Sequence, residues 1–322
     1  MAVVETARGP IGTEGLGMTL MHEHVFVLTP DSQLNWPGEW DEDARVADAV
    51  TRLRELAASG VQTIVDPTVD GLGRDVRRIV RVNAEVDINI IVATGLYTYG
   101  EVPGYFRSRG PGALPDLPDP LVDLFVADIE TGIQGTGVRA GLLKCATEHE
   151  GLAPGVERVL RAVAAAHLRT GVPVMVHTNP THRTAEEVSR LFGELGVPPT
   201  SVQLAHSGDT TDADQLSALA ERGYTLGMDR FGLDLLMPFD DRVGIVVEMC
   251  RRGFSSSMVL SQDASCYIDW VQPDLMPLLP NWTYLHVRRD VVPALLERGV
   301  TEAQVTEMLV TNPRRFFEGP TA

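Results

Sequence analysis

The 322-residue chain carries 27 basic and 44 acidic side chains, a net charge of −17, and 44% of its residues are hydrophobic. A field of that sign repels phosphate backbones and anionic bilayers, so neither nucleic acid nor a membrane is an expected partner. The start "MAVVETARGP" has no basic stretch ahead of an apolar core, no apolar run reaches transmembrane length, and Cys145, Cys250 and Cys266 are irregularly spaced, so reduced thiols in a cytoplasmic protein are expected.

The first predicted strand, "MTLMHEH", places His22 and His24 one residue apart. Residues i and i+2 of a strand project to one side, so both imidazoles can reach one point in space. "DEDARVADAVTRLRELAASG" then reads as an amphipathic helix ending in a glycine suited to its C-terminal cap. The strands "TIVDPT" and "NIIVATG" follow, separated by "GLG" at Gly71 to Gly73, which lacks the third glycine of a dinucleotide fingerprint and reads as a turn. "AGLLKCA", the helix "PGVERVLRAVAAAHLRTG", "VPVMVHT", "VQLAHSG", the helix "TDADQLSALAERG", "YTLGMDR" and "MVLSQDA" complete the series. Beyond them, Cys266 to Leu285 forms a long connection rich in Trp, Leu and Pro. Such a connection in a compact domain is usually functional. Near-continuous apolar strands alternating with helices imply a parallel sheet covered by helices. Eight of them predict a single (β/α)8 TIM barrel over residues 1–322, with a doubly wound sheet as the alternative.

The unusual polar residues fall at the ends of these strands. His22 and His24 close the first, Lys144 sits near the end of the fourth, His177 closes the fifth, His206 the sixth and Asp263 the eighth. Each alone reads equally as a satisfied structural residue. Six ligand-capable groups at equivalent rim positions of five strands instead predict a binuclear metal site in the C-terminal bowl. His149, His167, His182 and His286 lie in predicted helices or loops and read as surface or packing residues. An ammonium repels a divalent cation, so Lys144 is the odd member. Burial beside metals favours its free amine. That amine can add CO2 to become N6-carboxylysine, whose two oxygens can each hold one ion.

"TARGPIGTEGLGMTLMHEHVFV", "DPTVDGLGRD", "VATGLYTY", "LLKCA", "LGMDRFGLDLL", "CYIDW" and "TNPRRFFEG" together resemble the phosphotriesterase-like lactonases of the amidohydrolase superfamily. The resemblance spans nearly the whole chain. It implies two divalent ions, zinc first with Fe, Co or Mn as alternatives. One would be held by His22, His24 and Asp263, the other by His177 and His206, with carboxylated Lys144 and a hydroxide as bridges. It also assigns Tyr97 to the reacting carbonyl oxygen, Arg230 to orientation of the lactone, and Trp270 to packing against its ring or acyl chain.

The activity so implied is hydrolysis of N-acyl homoserine lactones (quorum quenching) or other fatty lactones, with slow attack on phosphotriesters, by a homodimer. The bridging hydroxide attacks the carbonyl while Asp263 takes its proton and passes it to the leaving alkoxide. A dedicated phosphotriesterase is the rival reading, and a non-catalytic metal-containing binding barrel the remote one. Three places depart from the family pattern. Gln262 stands where histidine is usual, "TNP" follows His177, and "AHSGD" replaces "GHCGD". Strand alternation is expected to turn Gln262 away from the metals.

Overall fold

A computed structural model describes residues 2–113, 115 and 117–319. A hairpin of β1 (Val3–Thr6) and β2 (Gly9–Gly12) precedes the main sheet. The sheet is built from β3 (Thr19–Leu20), β5 (Thr63–Asp66), β6 (Asn89–Gly95), β7 (Leu142–Ala146), β8 (Val174–His177), β9 (Val202–Ala205), β10 (Thr225–Met228) and β11 (Met258–Leu260). These eight strands run parallel in the order β11-β10-β9-β8-β7-β6-β5-β3. A second short ladder pairs β4 (His24–Val27) with β12 (Ser265–Ile268). It joins the first arm of the barrel to the eighth, and the Asp263 N–H bonded to the His22 carbonyl at 3.0 Å draws the two arms together. The architecture is the expected (β/α)8 barrel.

Side-chain alternation explains the core. Val65, Ile91, Leu142, Met175, Ala205 and Val259 fill the interior, and Phe316 and Phe317 of the last helix join that cluster with Val4 of the hairpin. Their neighbours Ile64, Ile90, Leu143, Val176, Leu204 and Leu260 pack outward with the helices. The helix Glu42–Ala58 shows why these segments coil: Asp41 caps its first turn, and Val46, Ala49, Val50, Leu53 and Leu56 form its buried stripe. Helix Pro154–Thr170 ends on Gly171 at φ 75°, as a glycine cap requires.

Three expectations are corrected in detail. The "MTLMHEH" segment is not one strand. β3 stops at Leu20 and β4 starts at His24, because the Glu23 N–H goes to Val65 while its side chain takes donors from residues 261–264. Likewise β9 and β11 end before His206 and Asp263, which stand in left-handed conformations at φ 64° and 54°. Finally, the connection from Cys266 to Leu285 is not structureless, holding most of β12 and a 3-10 segment, Pro273–Leu278. Gly71 and Gly73 do form a turn, both at positive φ. Gly95 is required at the end of β6, where it pairs with Lys144 and a Cβ would overlap the Lys144 carbonyl. Its absence lets the strand carrying Tyr97 close against the strand carrying the lysine.

Candidate metal centre

The C-terminal mouth of the barrel holds a cavity of about 240 Å3. His22, His24, Lys144, His177, His206 and Asp263 all line it, so the six predicted groups meet in one place, together with Tyr97, Arg230 and Trp270. The imidazoles are buried, at 1–6% exposure.

Each ring has one nitrogen tied outward and one turned inward. Nδ1 of His22 and Nδ1 of His206 meet the two oxygens of the buried Asp229 at 3.0 and 2.9 Å. Nδ1 of His24 meets the Thr68 hydroxyl at 2.7 Å. Their Nε2 atoms face the cavity centre, where Asp263 Oδ1 lies 3.2 Å from His22 and 3.3 Å from His24. His177 is reversed. Its Nε2 meets Glu148 at 3.1 Å, and its Nδ1 lies 3.0 Å from both His206 Nε2 and the Tyr97 hydroxyl. One ring nitrogen fixed by an oxygen partner and the other turned toward a shared centre is the arrangement that orients metal-ligating histidines. The ligand atoms of His22, His24 and Asp263 lie within 4.8 Å of one another, as do those of His22, His206 and Asp229.

The electrostatics agree with a site for cations. Burial lowers the pKa of His22 and His206 and brings His177 down to about 4, which keeps those rings neutral and able to donate lone pairs. His24 differs. Burial pulls it down, but Asp263 and Asp66 outweigh that and lift it to about 9, so cation uptake there displaces a proton. Burial lowers Lys144 to about 8, and its Nζ, fully enclosed, has no hydrogen-bond partner among the described residues. An orphaned buried amine is costly. Conversion to a carbamate facing two cations would satisfy it, so the residues present fit a carboxylated lysine and a pair of ions.

The substrate-facing residues also converge. Tyr97 shares a hydrogen bond with Tyr99, and burial holds its phenol well above its usual pKa, hence neutral. Arg230 donates Nε to Asp263 Oδ2 at 3.2 Å and Nη1 to Asp209 at 3.0 Å, so it grips a candidate ligand as well as facing the cavity. Trp270 is 46% exposed, anchored by its indole N–H to Thr29 at 3.1 Å, with its ring 5.9 Å from that of Tyr97. Gln262 turns away from the cavity and bonds Glu23. The reason is not strand alternation, since Asp263 lies beyond β11 in its left-handed turn.

Sequence reasoning missed Asp229, Glu148, Glu23, Tyr99 and Trp282. Asp229 was within reach of the rim rule, since it follows β10 directly. Glu148 and Trp282 lie in loops with no periodic signal. The remaining histidines behave as expected. His149 is exposed, while buried His167 and His286 bond the Val172 carbonyl and Asp290. The three cysteines are free and buried.

A closed barrel whose mouth gathers imidazoles, a lysine and a carboxylate is the build of an amidohydrolase-type enzyme. Comparison narrows the class. The model of the phosphotriesterase family matches residues 2–317. The chain is 56% identical over 320 residues to the phosphotriesterase homology protein of Mycobacterium tuberculosis, covering 99% of this chain and 98% of that one. It is 36% identical over 320 residues to an aryldialkylphosphatase of Saccharolobus solfataricus, covering 98% and 100%. The solved structure of the phosphotriesterase from Mycobacterium tuberculosis matches with a TM-score of 0.97 at 56% identity, covering 98% of each chain. The chain belongs to the phosphotriesterase family, a family of metal-dependent hydrolases. Among the described residues, no helix is long and apolar enough to cross a membrane.

Proposed function

We propose that this hydrolase is a lactonase acting on N-acyl homoserine lactones or other fatty lactones, with slow hydrolysis of phosphotriesters. The reading is carried by one observation: the polar floor of the cavity is walled by Leu72, Leu233, Leu236, Ile268, Trp270 and Val271, an apolar lining suited to an acyl chain above a hydrolytic centre. His22, His24 and Asp263 would hold one ion, His177 and His206 the other, with carboxylated Lys144 between them. When bound, such ions, zinc by preference, would provide the Lewis acidity that activates a water and polarises the scissile carbonyl.

The chain's own groups do the rest. Asp263 takes the proton of the attacking water at Oδ2 and returns it to the departing alkoxide. Arg230, bonded to that same oxygen, keeps the carboxylate ionised and in register, and as a permanent cation does not itself relay the proton. The neutral Tyr97 hydroxyl donates toward the developing oxyanion. We also infer a homodimer, supported by the exposed side chains of Leu34 and Trp36 at 80% and 75% exposure; light scattering of the purified protein tests it.

The deciding experiment compares kcat/KM for a long-chain acyl homoserine lactone and an activated phosphotriester, using protein of measured metal content. A lactone preference of about 100-fold or more, roughly 2.7 kcal/mol of transition-state discrimination, is expected. The reverse preference would make the protein a dedicated phosphotriesterase, and no turnover of either by fully metallated protein would leave a binding barrel. Trp270→Ala is expected to raise KM for a long acyl chain by about tenfold while a short-chain lactone changes by less than about twofold, since only the longer chain loses buried contact. Equal effects on both would remove Trp270 from the acyl wall.

A further inference from the structure

Glu23, between the two cavity histidines, is fully buried and does not line the cavity. Its Oε1 accepts from the Ser261 hydroxyl, the Gln262 N–H and the Gln262 side-chain amide, each at 2.8 Å. Its Oε2 accepts from the Ala264 N–H at 2.9 Å. All four donors flank Asp263 on one side or the other, and Asp263 is a non-glycine residue held at φ 54°. That conformation costs about 1–2 kcal/mol and needs something to impose it. Ser261 completes the lock by accepting the His22 N–H at 2.9 Å.

Gln262 extends the lock outward. Its amide N–H group also reaches the Tyr284 carbonyl at 3.1 Å, and its Oε1 accepts the Val287 N–H at 2.8 Å. With Glu23 that makes three partners, one more than the two nitrogens of an imidazole can serve, which gives the departure at this position a physical meaning. The indole N–H of Trp282, itself on the cavity wall, spans the carbonyls of Gln262 and Asp263 at 3.0 and 3.1 Å.

We propose that Glu23, braced by Gln262, is the positioning residue of the metal centre. Its carboxylate holds the 261–264 turn so that Asp263 presents Oδ1 to the Nε2 atoms of His22 and His24. The proposal rests on the metal-centre reading above, and its test separates the two.

Zinc-reconstituted wild type, Glu23→Gln and Gln262→Met are dialysed against a series of buffered zinc concentrations. Ions per chain, far-ultraviolet circular dichroism and the separate kcat and KM are then measured. Wild type is expected to hold two ions. Glu23→Gln, in which an amide NH2 confronts inward-pointing donors, is expected to keep the wild-type spectrum. It should lose one ion at zinc concentrations about 10–100-fold above those that strip wild type, the range for partners that orient ligands. Its kcat should fall while KM stays within about twofold, because the cavity wall is intact. Gln262→Met should fall between the two. A folded Glu23→Gln that retains both ions like wild type overturns the proposal. If that variant fails to fold, wild-type ion retention by both Gln262→Met and Ser261→Ala overturns it. Wild-type protein that takes up no zinc overturns the metal-centre reading and this proposal together.

Discussion

Lys144→Ala is expected to lose activity by at least about 10²- to 10³-fold, the scale of removing one preorganised charge-stabilising group, and to hold fewer ions than wild type. Lys144 reaches the cavity from β7, is fully enclosed, and its Nζ has no hydrogen-bond partner among the described residues. A lysine held there only to pack could be shortened at the cost of a few kcal/mol of stability with the ions untouched. A lysine converted to a bridging carbamate could not, because both ions would lose an oxygen ligand at once. The chemistry of formation gives an independent check. Only the neutral amine adds CO2, and burial has already brought the pKa down to about 8. Reconstitution of metal-free wild type with zinc at a fixed dissolved CO2 concentration should therefore accelerate as pH rises toward about 8 and level off above it, as the unprotonated fraction grows and then saturates. Elemental analysis and intact mass, which registers the added carbon dioxide, read the outcome. Wild-type turnover and metal content in Lys144→Ala would exclude the carbamate.

The second large effect is expected at Asp229. One buried carboxylate fixes two rings, His22 and His206, which the proposed assignment places on different ions. Its Oδ1 also accepts the His206 N–H at 2.7 Å, and that bond supports the left-handed turn in which His206 sits. Asp229→Asn preserves the volume but offers one acceptor where two Nδ1–H groups need one each. At least one imidazole is then free to rotate or change tautomer. Loss of a single such partner costs about 10–100-fold in metal affinity or activity. A partner serving two ligands and one backbone turn should lose at least about 100-fold in zinc affinity, measured by chelator competition. Affinity within about threefold of wild type would show that the rings are held by packing alone.

The parallel barrel was legible in the chain because apolar strands of two to seven residues alternate with capped, amphipathic helices, and this local periodicity survives any error in strand ends. The six cavity residues were legible for a related reason: His177 ends β8 and His22, His206 and Asp263 follow the ends of β3, β9 and β11, whereas His24 opens β4 and Lys144 is central in β7. Lys144 and Gly95 show how far that reading extends. Their pairing across β6 and β7 follows from strand order, but the close approach that demands a glycine becomes evident only in three dimensions. His206 and Asp263 show its limit. Their left-handed conformations interrupt the alternation on which a strand-based argument about direction depends.

By itself, then, the sequence determined that these six side chains gather at the mouth of the barrel, because chain order places them on successive arms whose C-terminal ends share one rim. Tertiary structure alone decided which nitrogen of each imidazole points inward and what holds it there. Asp229 meets His22 across 207 residues, and Glu23 meets Gln262 across 239. Hydrogen bonds between such distant groups leave no periodic trace in the chain, and they exist only once the barrel closes and excludes the water that would otherwise take their place.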